Sequence, residues 1–298
     1  MEARPADSAT LILLRASTGA EPEVLLVARH ENSRAFGGAH VFPGGLVDRD
    51  DAAQELHQTL APRLSATGAA TILGEDIAPE AALAFWVAAI RELFEEAGIL
   101  LAAVDGSPLR LTDPGLRERF STHRRALLDG TLSFNELVAH ERLELLVDEL
   151  RYFSRWITPS NAPRRYDARF FVAPAPADQV PLHDDRETTA AEWLSPRAAL
   201  ARAAAGSLVL TPPTARTLDE LHELGTRDHI LAAARNRKVT PILPKLVQIG
   251  DRMGMLYPGD VDYDRTETGG SVPADREGPL NRAVMEDGGW RRLRSDRP

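Results

Sequence analysis

The chain of 298 residues contains no cysteine, which excludes disulfides, zinc–thiolate sites and thiol nucleophiles together. Positive charge is also scarce. Lys and Arg number 35 against 44 Asp and Glu, a formal charge of −9, whereas nucleic-acid binding usually needs a basic face. No apolar run reaches the about 18 residues of a membrane span, and no N-terminal stretch joins basic residues to an apolar core and a cleavage site. A P-loop and a GxGxxG are missing, and HELGT (222–226) lacks the second histidine of a zinc HExxH. These absences predict a cytoplasmic protein that binds neither nucleic acid nor membrane.

What is present is a chain with 43% hydrophobic residues, enough for one large domain or two ordinary ones. TLILLR (10–15) and EVLLVAR (23–29) read as paired strands around a turn with Gly19 and Pro22. A glycine-rich segment, AFGGAHVFPGG, surrounds a short strand at 39–42. Pro79 suits a helix first turn, and Gly98 suits the left-handed cap that ends it. Asp113-Pro114 opens a further helix, and Ser133 with Glu136 forms a capping-box pattern for the next. YFSRWIT (152–158), DARFFVAP (167–174) and AAEWL (190–194) read as strands, and Trp156, at alternating spacing, as core. Ser195-Pro196 and Thr211-Pro212 start further helices, and KLVQIG with GMLYP forms a hairpin near Asp251. From about Gly259 the chain is rich in Gly, Asp and Arg, which reads as a tail that is flexible or ordered by a partner.

The chemistry gathers at RELFEEAG (91–98), directly after the apolar run AALAFWVAAI. At about 100° per residue, Glu92, Glu95 and Glu96 fall within an arc of roughly 100° on one helix face. Leu83, Val87, Ile90 and Phe94 lie opposite, towards a core, while Phe85 projects near the carboxylates. Like charges three and four residues apart repel by about 0.2–0.5 kcal/mol per pair. A bound cation removes that penalty, and hard oxygen ligands suit Mg²⁺ or Mn²⁺. An isolated ExxEE is most often a solvated acidic face. Here it is preceded by Arg91, ends in glycine and follows a PGG loop.

With these residues the sequence resembles the Nudix hydrolases, whose signature is G-x5-E-x7-R-E-U-x-E-E-x-G-U, with U a bulky aliphatic residue. The second half matches in full from Arg91 to Ile99. The first half starts at Gly45 and leads to Asp51, one methylene shorter than glutamate. Asp51 and Arg91 are 40 residues apart where the family has 8, so an insertion of 32 residues interrupts the box. The family pairs this arginine with a box carboxylate, a place that Asp51 or Glu80 can take. An interrupted box is similar to that of one branch, which includes acyl-CoA diphosphatases. GAHVFPGG, W-x-TP, RYDARFF, EWLSP, PILP and LYPGD are similar to that branch as well.

The resemblance implies an α/β/α sandwich on a mixed sheet, to which the residues themselves add further helices and a flexible C-terminal tail. It implies a single domain over residues 1–258, with a box insertion at about 52–78, a helical insertion at about 113–150, and a tail over 259–298. It implies a diphosphate hydrolase that uses Mg²⁺ or Mn²⁺ on a small-molecule diphosphate, with CoA or acyl-CoA derivatives as the substrate class. ADP-ribose or nucleotide sugars are the alternative substrates, and a non-catalytic nucleotide sensor is the alternative of another class. Glu92, Glu95, Glu96 and the Gly44 carbonyl are the implied metal ligands, with Arg91 and Glu92 also catalytic. Glu187 is favoured as an additional acid or base from the downstream loop, over Asp184, Asp185 and Glu192. Arg164, Arg165 and Gly45 are candidate substrate contacts, although paired arginines in a loop are more often simply solvated. A homodimer enters only through the resemblance.

Overall fold

The computed structural model describes residues 4–19, 21–31, 37–60, 62–182, 188–235, 237–286 and 288–293. The first half runs β1 (Ala6–Arg15), β2 (Glu23–Arg29), β3 (His40–Val41), β4 (Gly44–Leu46), α1 (Gln54–Leu60), α2 (Ala66–Leu73) and α3 (Pro79–Ala97). It continues with β5 (Ala102–Val104), β6 (Ser107–Pro108), α4 (Pro114–Leu128), α5 (Phe134–His140) and β7 (Leu143–Leu145). Then follow β8 (Arg151–Ile157), β9 (Tyr166–Pro174), β10 (Thr188–Leu194), α6 (Pro196–Ala204), α7 (Pro212–Leu224) and α8 (Arg227–Arg235). The last elements are β11 (Pro241–Ile242), β12 (Lys245–Ile249), β13 (Arg252–Leu256), β14 (Ser271–Val272), β15 (Arg282–Glu286) and β16 (Gly289–Leu293).

β1 organises the molecule. It pairs antiparallel with β2 and β4 and in parallel with β9, from Ala6 opposite Tyr166 to Leu14 opposite Pro174. The mixed sheet has the order β10-β2-β1-β9-β8-β11, with β3 and β4 attached to β2 and β1. Because strand side chains alternate, Ala9, Leu11 and Leu13 enter one core with α3, while Ile12 and Leu14 enter another with α6, α7 and α8. Both faces are therefore covered by helices, the expected sandwich. The predicted caps are in place: the side chains of Asp113, Ser133, Ser195 and Thr211 each accept a backbone N–H in the first turn of their helix. Trp156 is buried in the second core.

The helix α3 is buried far beyond what its periodicity suggests, including Arg91, Glu96 and Phe85. The sheet covers one side, and the box insertion covers much of the rest. Leu56 and Leu60 of α1 and Ala69 and Leu73 of α2 join the α3 core. Glu75, just after α2, is bound by Arg155 (3.0 Å), Arg169 (2.5 Å) and the Tyr152 hydroxyl (3.0 Å) on the sheet. Phe85 lies under the Arg169 guanidinium at 4.2 Å, so it belongs to this anchor and not to the carboxylate face.

Within the expected tail, much of the chain between residues 259 and 293 is built into a sheet. β12, β13, β15, β16 and β14 form one sheet that crosses the expected boundary at 258/259. Arg282, fully buried, donates to both Asp260 and Asp262. Charged residues that look solvating in sequence neutralise one another inside the fold, and order as far as Leu293 comes from the chain itself. Residues 294–298 lie outside the described residues. Among the described residues, no helix is long and apolar enough to cross a membrane.

Candidate active site

The C-terminal half of α3 lies over β4, and two glycines make the approach close enough. A β-carbon on Gly45 would stand 2.5 Å from the Glu92 carboxylate, and one on Gly44 would collide with the Ala9 carbonyl and Thr10. Here glycine is required by contact with its surroundings, since neither residue has a positive φ. The Gly44 N–H donates to Glu96 Oε2 at 3.0 Å. Gly98 ends α3 in the left-handed conformation, its N–H returning to the Phe94 carbonyl. The Arg124 side chain donates twice to the Glu95 carbonyl, at 2.9 and 2.7 Å, which satisfies a carbonyl left without a partner in the last turn.

Arg91 is the hub. Its Nε and Nη2 grip the two oxygens of Asp51, each at 2.9 Å, and Nη2 also donates to the Leu46 carbonyl at 2.8 Å. Nη1 donates to Glu92 at 2.8 Å and Glu95 at 3.3 Å. The Asp51 carboxylate also accepts the Asp48 N–H at 2.7 Å, and Asp48 Oδ2 lies 3.6 Å from Arg91. Of the two carboxylates named for holding Arg91, Asp51 does so. Loss of one methylene is tolerated because the short helical turn at 49–52 brings its backbone close to α3.

One guanidinium thus faces Asp48, Asp51, Glu92 and Glu95. Burial pushes the Glu92 carboxyl up to about 7, with the neighbouring Glu95 adding to the rise and Arg91 opposing it. Glu95 and Asp51 are also raised, again chiefly by burial. Among the described residues, no group of three or more His, Asp or Glu side chains is already arranged around a cation position. The donor chemistry nevertheless fits a hard divalent cation: partly buried carboxylate oxygens, in excess over positive charge, whose ionised forms burial disfavours. Arg91 Nη1 engages Glu92 through Oε1 and Glu95 through Oε2, and the Gly44 N–H engages Glu96 through Oε2.

The other expected residues are less central. Arg165 lies at the β8–β9 turn, its carbonyl accepting the Ala6 N–H at 2.9 Å and its Nε donating to Thr158 O at 3.1 Å; Arg164 is exposed. The Asp7 carbonyl accepts the Val47 N–H, so this turn and the glycine loop sit at the same end of β1. Glu192 pairs with Arg202 at 2.7 Å on β10. Asp184, Asp185 and Glu187 lie outside the described residues. Sequence reading missed Asp48, the Leu46 carbonyl and Arg124. VDRDD carries a signal for Asp48, but nothing near Arg124 announces that it caps α3.

A family model, the NUDT19 Nudix domain, matches residues 65–221, which is 157 of the 298 residues. The chain belongs to the Nudix hydrolases. The acyl-coenzyme A diphosphatase NUDT19 of Gallus gallus is 29% identical to it over 278 residues, spanning 81% of this chain and 72% of that protein. The Homo sapiens protein of the same name is 27% identical over 271 residues, spanning 80% and 72%. A crystal structure of a NUDIX hydrolase from Alicyclobacillus acidocaldarius is 27% identical and superposes with a TM-score of 0.59, covering 79% of this chain and 99% of that one. In this Nudix hydrolase the box is split in sequence and rejoined in space, because α1 and α2 leave from Asp51 and return along α3.

Proposed function

We propose that this Nudix hydrolase cleaves the diphosphate of CoA or acyl-CoA derivatives with the help of Mg²⁺ or Mn²⁺. The observation that carries the chemistry is the set of Glu92, Glu95 and Glu96 gathered at Gly44–Gly45 around an arginine clamped by Asp51. The substrate class is supported by the relatives named acyl-coenzyme A diphosphatase, which align with about four-fifths of this chain.

In the reaction, water adds to one phosphorus, a P–O–P bond breaks and the other phosphate leaves. Glu92, Glu95, Glu96 and the Gly44 carbonyl would hold the cation, which when bound neutralises phosphate charge and acidifies water. Arg91 keeps the carboxylates at the glycine loop, and Asp51 keeps Arg91 in place. Gly45 lets the loop backbone lie against Glu92 and meets the substrate there. Glu187 accepts the proton of the attacking water, with Glu92 as the alternative base. Arg164 and Arg165 meet the phosphate groups from the β8–β9 turn.

The test is turnover of CoA, acyl-CoA, ADP-ribose, dinucleoside polyphosphates and NADH, each with Mg²⁺ or Mn²⁺, with products read by mass. Highest kcat/KM on CoA compounds, abolished by chelation, is expected. A clear preference for ADP-ribose would overturn the substrate class, and undiminished turnover in chelator the metal dependence.

A further inference from the structure

On the face of the sheet opposite α3, a cavity of about 210 Å³ lies between α6, α7, Tyr257 and the strands β15 and β16. It is smaller than the roughly 300–1,000 Å³ of pockets for drug-sized ligands. Its wall is mostly apolar, with Trp290 on one side and Tyr257 on another. Three arginines, 216, 291 and 292, line it against one carboxylate, Asp219, an unusual balance for a chain of net charge −9.

The arginines are not equivalent. Arg291 is held by Glu286, and Arg292 by Glu223 at 2.7 Å. Arg216 has no carboxylate paired with it among the described residues, and its Nη1 is buried without a hydrogen-bond partner. The Nε–H of Arg292 is likewise buried, with no acceptor among the described residues. Desolvating a guanidinium that has no paired carboxylate is costly: burial and nearby Arg292 depress its proton affinity, against the opposing pull of Glu220 and Glu223. Burial raises the Tyr257 phenol well above its ordinary value, so its hydroxyl remains a donor at neutral pH.

We propose that this cavity is a second ligand site, which binds a small carboxylate carried on an apolar or aromatic body. Among the arginines of the cavity Arg216 is the one without a paired carboxylate among the described residues, and a ligand carboxylate matches the guanidinium fork. A phosphate would bring a second charge towards Asp219. The apolar wall and Trp290 receive the body of the ligand.

The probes are benzoate, its neutral analogue benzamide, and phenyl phosphate, titrated into the full chain in chelator by calorimetry and tryptophan fluorescence. Benzoate should bind best, with benzamide weaker by about tenfold or more, the contribution of a charge-assisted hydrogen bond. Arg216→Met should lose a similar factor for benzoate, keep wild-type diphosphate turnover, and melt no lower than wild type without ligand. Equal binding of benzamide, undiminished benzoate binding by Arg216→Met, or no binding of benzoate up to about 10 mM would overturn the site. Tighter binding of phenyl phosphate would overturn the carboxylate assignment. A marked fall in Tm for Arg216→Met would show the guanidinium to be structural and overturn it too.

Discussion

Two clusters of charge lie along α3, and they are built differently. Around Glu75, two arginines meet three carboxylates: Arg155 grips Asp167 and Glu75, while Arg169 grips Glu75 and Asp7. Around Arg91, one arginine meets Asp48, Asp51, Glu92 and Glu95, and Glu96 adds a fifth carboxylate at Gly44. The first cluster is nearly balanced and ties the box insertion to the sheet. The second keeps an excess of negative charge where burial already disfavours it. Balanced buried charge resists loss of a partner, whereas unbalanced buried charge stores an affinity for a cation.

The difference is tested most severely by Arg169→Met. Removing one partner of a buried pair typically costs about 3–5 kcal/mol, so thermal or denaturant unfolding should show a loss of that size, with kcat of the folded fraction largely retained. Wild-type stability would mean that the insertion does not depend on this anchor. Glu95→Gln and Glu96→Gln should do the opposite: each should lower kcat at least about 100-fold while Tm stays the same or rises, because a buried like charge is removed. Near-wild-type rates in both folded variants would remove the assignment of the carboxylates to metal and catalysis.

Asp51→Asn keeps the shape of the Arg91 clamp but removes its charge. A loss of about 10–100-fold in kcat, the usual size for a residue that orients a ligand, is expected together with a higher metal requirement. An unchanged metal titration would make Asp51 purely structural.

The smallest effect is on pH. The Glu92 carboxyl is raised in the fold, to about 7, so the folded state binds its proton more tightly than the unfolded chain. Its contribution to stability is fully present below the unfolded pKa near 4.5 and is lost as pH rises through 7. In chelator, the Tm of Glu92→Gln minus that of wild type should therefore grow between pH 5 and 7.5, by on the order of 5 °C. A flat difference would show that Arg91 neutralises Glu92 in full.

Much was legible beforehand. The strand pairs, the helix starts at Pro79 and Asp113, and the carboxylate face of α3 follow from local signals, because side-chain period, capping chemistry and proline or glycine placement act within a few residues. The same holds for the family itself, since Arg91 to Ile99 is an unbroken stretch. The insertion's role was not legible. Its Ala-rich sequence does not say what it packs against, and only contact with α3 and the sheet around Glu75 decides.

Tertiary structure alone settled three matters. It chose Asp51 over Glu80 for Arg91, because 40 intervening residues say nothing about distance when the chain returns on itself. It ordered the segment after 258, because the pairing of Arg282 with Asp260 and Asp262 is invisible to a composition that counts each as solvated. It set Arg216 apart from its neighbours, because whether an arginine has a carboxylate within reach depends on which elements pack beside it. Local chemistry is written in neighbouring residues; the compensation of buried charge is a sum over the whole fold.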